Sequence, residues 1–183
     1  MKLDLTEQIE IPEGVEVKID SGLISAKGPK GEISRRLAYP KVSVDVKDNK
    51  LTISSKKATK REKRIIFTFK SHLVNMIQGV TEGHSYKLKV CSTHFPMTVA
   101  IENGEFVVQN FLGEKIPRKC KIQKDAEVKI EGQDIMVESV DKEAAGQTAA
   151  SIEQVCRITK RDRRIFQDGI YIITKSKKIL KNE

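Results

Sequence analysis

Five cationic side chains stand within eight residues at Arg157, Lys160, Arg161, Arg163 and Arg164, diluted by Asp162 alone. Arginine grips two phosphate oxygens at once with its planar fork, whereas lysine acts as a point charge on a flexible stem. Such a cluster works by neutralising phosphate, with no bond made or broken. Arg157 and Lys160 have a second reading, as complements to the C-terminal end of a helix dipole. A further basic run follows at Lys175, Lys177, Lys178 and Lys181. It has no apolar periodicity and is expected to order only on a polyanion. Residues 157–183 thus hold nine Lys and Arg against Asp162, Asp168 and Glu183. A second cluster, residues 56–64, sets Lys56, Lys57, Lys60, Arg61, Lys63 and Arg64 against Glu62. Either it touches the same polyanion or it forms a charged linker and first helical turn.

Other chemistry finds little support in the spacing. Cys91 and His94 have a usable separation for zinc, but a structural site needs four ligands, and Cys120 and Cys156 arrive singly. Buried thiols are the better account, and no metal is expected. Gly28-Pro29-Lys30-Gly31 lacks the Gly-Lys-Ser/Thr ending of a P-loop and opens no helix, so it reads as a tight turn. His72 and His84 have no neighbouring carboxylate or nucleophile pattern, and no paired catalytic acids appear. The reading is a binding protein with no catalytic residues, no cofactor and no small-molecule substrate.

Composition narrows the partner. The chain has 183 residues and a formal net charge of +9, concentrated in the two clusters, which makes a local positive field suited to nucleic acid. Aromatics are only 5% and Trp is absent, whereas a reader of splayed bases would want stacking rings. A folded polynucleotide bound through its phosphates is therefore favoured. An architectural DNA-binding protein is the alternative with the same charge. No run of about 18 apolar residues exists, so no membrane span is expected. The N-terminal stretch MKLDLTEQIEIPEG carries acids and alternates, unlike a secretory leader. Three scattered cysteines fit a reducing, cytoplasmic setting.

These side chains need a scaffold, and the hydrophobic period supplies one. Segments 15–20, 22–28, 31–37, 42–46 and 50–54 alternate with period two and read as half-buried strands. From Thr59 the period becomes helical through Ile66, Phe69, Leu73 and Val80, with Thr59 and Glu62 placed for a capping box. The second half repeats the order: strands at 85–90, 97–102, 105–109, 114–120, 126–131 and 134–139, then a helix with Ala145, Ala149, Ile152, Cys156 and Thr159 on one face. Asn103-Gly104 and Gly132-Gln133 supply hairpin turns. An offset of 84 residues matches Leu51 to Ile135 and Ile53 to Val137, the mark of an internal duplication. The expectation is an α+β protein of two similar domains, each an antiparallel sheet with one packed helix. The boundaries are 1–81, 82–175 and a basic tail at 176–183. In the second domain Gly169-Ile170-Tyr171-Ile172 reads as a strand that anchors the basic loop. Small residues Gly146, Ala149, Ala150 and Ser151 serve either close packing or approach of a nucleic-acid backbone, to which Gln147 could donate.

Four motifs now stand in order: IPEGVEVKID (11–20), AKGPKGEI (26–33), LVNMIQGVTEG (73–83) and GQTAASIEQVCRITKRDRRIFQDGIYI (146–172). They resemble the signatures of the large-subunit ribosomal protein six family over nearly the whole chain. The resemblance implies a duplicated α+β fold in the cytoplasmic ribosome. It implies binding to large-subunit rRNA, mainly through the C-terminal domain, among other large-subunit proteins and near the elongation-factor binding region and sarcin-ricin loop. On it, Arg157, Lys160, Arg161, Arg163, Arg164, Tyr171, Lys175, Lys177 and Lys178 form the principal RNA-binding set. Lys56, Lys57, Lys60, Arg61, Arg64 and Gln147 form a secondary one. Bacterial members carry a Pro-Glu-Pro-Tyr-Lys-Gly-Lys-Gly type of loop after the second helix. Here ITKRDRRIFQDGIYI (158–172) resembles the archaeal and eukaryotic branch, and the lack of a long C-terminal extension points to an archaeal source.

Overall fold

The computed structural model describes residues 3–47 and 49–176, with the side chain of Leu3 excepted. The chain divides between Gly83 and His84 into two compact units. Each unit gathers its strands into two antiparallel sheets rather than one, with a single helix packed against them. Period-two alternation marks which residues are strand but not which strands pair, so the split into two sheets was not legible from it.

In the first unit β1 (Leu3–Glu10), β5 (Ser43–Lys47) and β6 (Lys50–Ala58) form one sheet in the order β1-β6-β5. The other is β2 (Glu16–Asp20), β3 (Leu23–Gly28) and β4 (Gly31–Arg36), in that order. Helix α1 (Lys60–Thr81) starts as its sequence demands. The Thr59 hydroxyl caps it, and Glu62 reaches back to the Thr59 N–H at 2.8 Å and to its hydroxyl. These hydrogen bonds, the hydroxyl's first, hold the Glu62 carboxyl down to about 2. The helix buries Ile66, Phe69, Leu73, Met76, Ile77 and Val80. They meet Ile24, Leu51 and Ile53, all fully buried on the sheets. The β3–β4 turn is docked on the far end of the helix: Lys30 N–H donates to Val80 O at 3.0 Å, and a Cβ on Gly28 would lie 2.7 Å from the same oxygen. Glycine is required there by close approach of backbone.

The second unit repeats this plan. β8 (Thr98–Glu102), β9 (Glu105–Gln109) and β10 (Arg118–Lys121) form a sheet equivalent to β2-β3-β4. Asn103 and Gly104 close the β8–β9 hairpin, both with positive φ as a type I′ turn needs. β7 (His84–Cys91), β11 (Ala126–Glu131) and β12 (Asp134–Ser139) repeat the order of β1, β5 and β6. Ile135 and Val137 are as fully buried as their counterparts Leu51 and Ile53. A fourth strand, β13 (Gly169–Thr174), pairs antiparallel with the outer side of β7 and has no counterpart among the described residues of the first unit.

Two expected elements are shorter than read. The segment 114–120 enters the sheet only at Arg118, because a 3₁₀ turn (Phe111–Gly113) and Pro117 precede it, and proline cannot donate to a ladder. Helix α2 (Lys142–Val155) stops before Cys156, which is buried beyond its end, and Thr159 is exposed and outside the helix. Burial raises the Cys156 thiol to about 12 and the Cys120 thiol to about 11, so both behave as core hydrophobes. Within α2, Ala149 is fully buried and Gly146 lies where a Cβ would press on the Tyr86 hydroxyl at 3.1 Å. These two small residues serve packing.

Candidate nucleic-acid interface

Between α2 and β13 the chain makes a 13-residue excursion, residues 156–168, with Lys160 in the left-handed region at φ 58. Both of its roots are fastened. At the first, the Arg118 guanidinium donates to the carbonyls of Val155 at 2.8 Å and Arg157 at 3.0 Å. Glu114 grips the other side of the fork at 2.6 and 2.7 Å, and the guanidinium lies 4.4 Å from the Phe111 ring centroid. The cation that satisfies the end of α2 is therefore Arg118, from strand β10. No basic residue occupies the helix's own last turn, so Arg157 and Lys160 are not spent on the dipole.

At the second root stands Asp168, only 1% exposed. Its carboxylate accepts from the Thr93 N–H, the Thr93 hydroxyl at 3.1 Å, the His94 N–H at 3.1 Å and His94 Nδ1–H at 2.6 Å. Burial pushes its pKa up, but the hydrogen bonds from Thr93 and His94 outweigh it and the carboxyl sits at about 2. The His94 ring stacks on Phe166, with 4.9 Å between centroids. Arg161 lies over the same Phe166 ring at 4.8 Å. Arg161 is thus mounted on an aromatic ring that stacks on the His94–Asp168 pair.

All five expected loop cations are exposed. Arg157, Lys160 and Arg163 form no ion pair with any described residue. Arg161 keeps its charge on top of Phe166. Arg164 differs: Asp162 binds it in a fork at 2.7 to 3.2 Å and also accepts its backbone N–H at 3.0 Å. This pair is solvent-facing, with the Arg164 side chain 90% exposed, so it contributes little to stability and opens readily. Tyr171 projects from β13 with its hydroxyl donating to Gln167 O at 3.0 Å. Together with Arg157 and Arg163 it lines a groove of ≈ 330 Å³ beside the end of α2. Lys175 is exposed just past the strand; Lys177 and Lys178, and the tail beyond Ser176, lie outside the described residues.

The secondary set separates. Gln147 lies toward the start of α2, about 15 Å along the axis from the loop, in a shallow surface lined by Asp125, Asp141 and Glu143. Lys142 lies on the same surface, and the structure does not bring Gln147 to the cationic loop. Lys56, Lys57, Lys60, Arg61, Lys63 and Arg64 are all exposed where β6 passes into α1. Lys57 sits on a bulge at φ 53, with its N–H held by Asp4 at 2.7 Å. Arg61 approaches the Tyr39 ring and Lys63 the exposed Phe67 ring, each at 5.9 Å. The buried carboxylate of Glu62 compensates the helix N-terminus beneath them.

Sequence reasoning missed the fasteners. Arg118, His94 and Asp168 act through partners some 37 to 75 residues away, and no local spacing announces those contacts; the Glu114–Arg118 pair is local, but what it braces is not. The one available hint was Asp168, a carboxylate between Phe166 and the strand that begins at Gly169.

The fold and the site define a class: a duplicated α+β scaffold that displays a cluster of exposed cations on an anchored loop. The Ribosomal protein L6 family model matches residues 11–83 and 95–169, one segment in each unit. The chain is 44% identical over 176 residues to the large ribosomal subunit protein uL6 of Methanosarcina mazei, covering 96% of this chain and 100% of that one. It is 44% identical over 171 residues to the protein of the same name from Methanobrevibacter smithii, covering 93% and 96%. The Halobacterium salinarum protein of that name is 43% identical over 171 residues, again 93% and 96%. The chain belongs to the ribosomal protein L6 family. It is a structural constituent of the ribosome, not an enzyme, and its place is the cytoplasm; the relatives named are archaeal, within the archaeal and eukaryotic branch that the loop resembles.

Proposed function

We propose that this protein binds large-subunit rRNA chiefly through its second unit, beside other large-subunit proteins and close to where elongation factors dock. The observation that carries the reading is the anchored loop whose cations Arg157, Lys160 and Arg163 are exposed and form no ion pair among the described residues. A loop fastened at both roots offers charge in one geometry, so little conformational entropy is lost on binding. Rigid presentation suits a folded RNA, whose phosphates lie at fixed spacings. Lys175 extends this surface. The first unit's cluster from Lys56 to Arg64 is a second, weaker contact, since it surrounds a bulge and a helix start rather than an anchored excursion. Asp162 guards Arg164 until a phosphate displaces it.

The test is a titration of the full chain against large-subunit rRNA fragments and duplex DNA of matched length, across a range of salt. Log affinity for the rRNA is expected to fall with log salt, by roughly 0.7 to 0.9 per phosphate contacted. A structured rRNA fragment is expected to retain tight binding in the presence of excess DNA. Equal affinity for both polymers would move the reading to an architectural DNA-binding protein.

A further inference from the structure

We infer that the groove between the end of α2, the basic loop and β13 receives one unstacked nucleotide of the bound RNA, and that it favours guanosine. This rests on the rRNA-binding reading above and makes it specific. The groove's ≈ 330 Å³ is at the lower end for sites that enclose a small ligand, enough for a base but not for a duplex. Its lining has a distinct polarity. Arg157 and Arg163 stand on the loop side, Glu153 and Gln154 on the helix side, and Gly169 and Tyr171 on the strand. Two guanidinium groups against one carboxylate leave a single positive charge, which matches one phosphodiester.

The strand side is built as a stacking surface. A Cβ on Gly169 would come within 3.1 to 3.3 Å of the Tyr171 ring and its hydroxyl, so the glycine is what lets that ring lie down over the strand. The hydroxyl is fixed by Gln167 O, and the residue remains 40% exposed. An aromatic face held in this way takes an unstacked base of any type. Discrimination comes from Glu153. Its Oε1 accepts the Ile172 N–H at 3.2 Å, which fixes the carboxylate, and Oε2 has no partner among the described residues. An ionised carboxylate only accepts, so it selects a base edge carrying N–H groups. Guanine offers N1–H and N2–H on one edge, which the two lone pairs of Oε2 can accept. Uracil offers one N–H, and adenine and cytosine one amino group each beside a bare ring nitrogen that the carboxylate repels.

The test is an NMR titration of the full chain with GMP, AMP, CMP, UMP and inorganic phosphate as probes, read at the amides of Gly169, Ile170 and Tyr171. GMP is expected to shift these signals at about tenfold lower concentration than UMP, and inorganic phosphate only weakly. Tyr171→Phe, which keeps the ring but loses its bond to Gln167 O, weakens the GMP response less than Tyr171→Leu, which weakens it about tenfold, and Glu153→Gln removes the preference for GMP over UMP. Equal responses to all four nucleotides and to phosphate, or shifts that map outside the groove, would overturn the inference. In that event, salt-dependent binding of rRNA fragments by the same protein leaves the broader reading intact, whereas its loss removes both.

Discussion

In the first unit α1 runs through 22 residues and the chain leaves it by way of Gly83; in the second α2 stops after 14 residues and a loop and a fourth strand follow. Otherwise the two units share strand order, hairpins and the positions of their deepest core residues. The difference teaches how one plan can be extended to display charge. The shared plan makes two stable cores, and the second unit attaches its cations to the outer side of β7 through β13. Both units carry basic clusters; the first follows a bulge and a capped helix start held by Asp4 and Glu62, whereas the second rides on a 13-residue excursion fastened at both ends. Charge alone is therefore not the distinction; presentation is.

The comparison is broken most severely at Asp168. Asp168→Ala removes the buried carboxylate that accepts from Thr93 and His94 together, and about 3 kcal/mol of stability is expected to go, read by chemical denaturation. The same carboxyl sets a pH signature. Its folded pKa lies below the ordinary value of 3.8, so the stabilisation is present above that pH and is lost as pH falls toward about 2. Asp168→Ala is expected to flatten that limb of the stability–pH curve. Glu62 does the same for the first unit, between its ordinary 4.5 and about 2, so the variant leaves that portion in place.

Arg118 comes next. Arg118→Lys keeps the charge but cannot reach Glu114, Val155 O and Arg157 O together, and about 2 kcal/mol is expected to be lost along with several-fold in rRNA affinity. The salt slope should be unchanged, because a fastener and not a phosphate contact has been removed. A smaller effect, about 1 to 2 kcal/mol, is expected for Gly28→Ala in the first unit, where the new methyl meets Val80 O. Its rRNA affinity should match that of the parent chain, which separates damage to a core from damage to presentation.

Much of this was readable in the letters. The alternation of strands, the change of period at Thr59 and the Thr59–Glu62 box all depend on neighbours in sequence, and each stands in the structure. The cations were readable too, because exposed charge needs no partner to be recognised. What was not legible depended on distance along the chain. Asp168 resembles any turn residue until Thr93 and His94 close around it, and Arg118 resembles another surface cation until α2 ends beneath it. Gln147, read as a donor to a backbone approaching the small residues of the second helix, stands apart from the basic loop, because helix geometry separates residues nine or more positions apart. The early end of α2 likewise followed from tertiary capping and not from the run of small residues.

The central claim is that the anchored, unpaired cations of the second unit carry the contact with RNA. Its most direct test compares the salt dependence of rRNA binding for two triple variants, Arg157→Ala/Lys160→Ala/Arg163→Ala and Lys56→Ala/Arg61→Ala/Arg64→Ala. The first is expected to reduce the magnitude of the log–log slope by about 2 to 3 with melting temperature almost unchanged, and the second by less than about 1. Equal reductions for the two variants, or an unaltered slope in the first, would contradict the account.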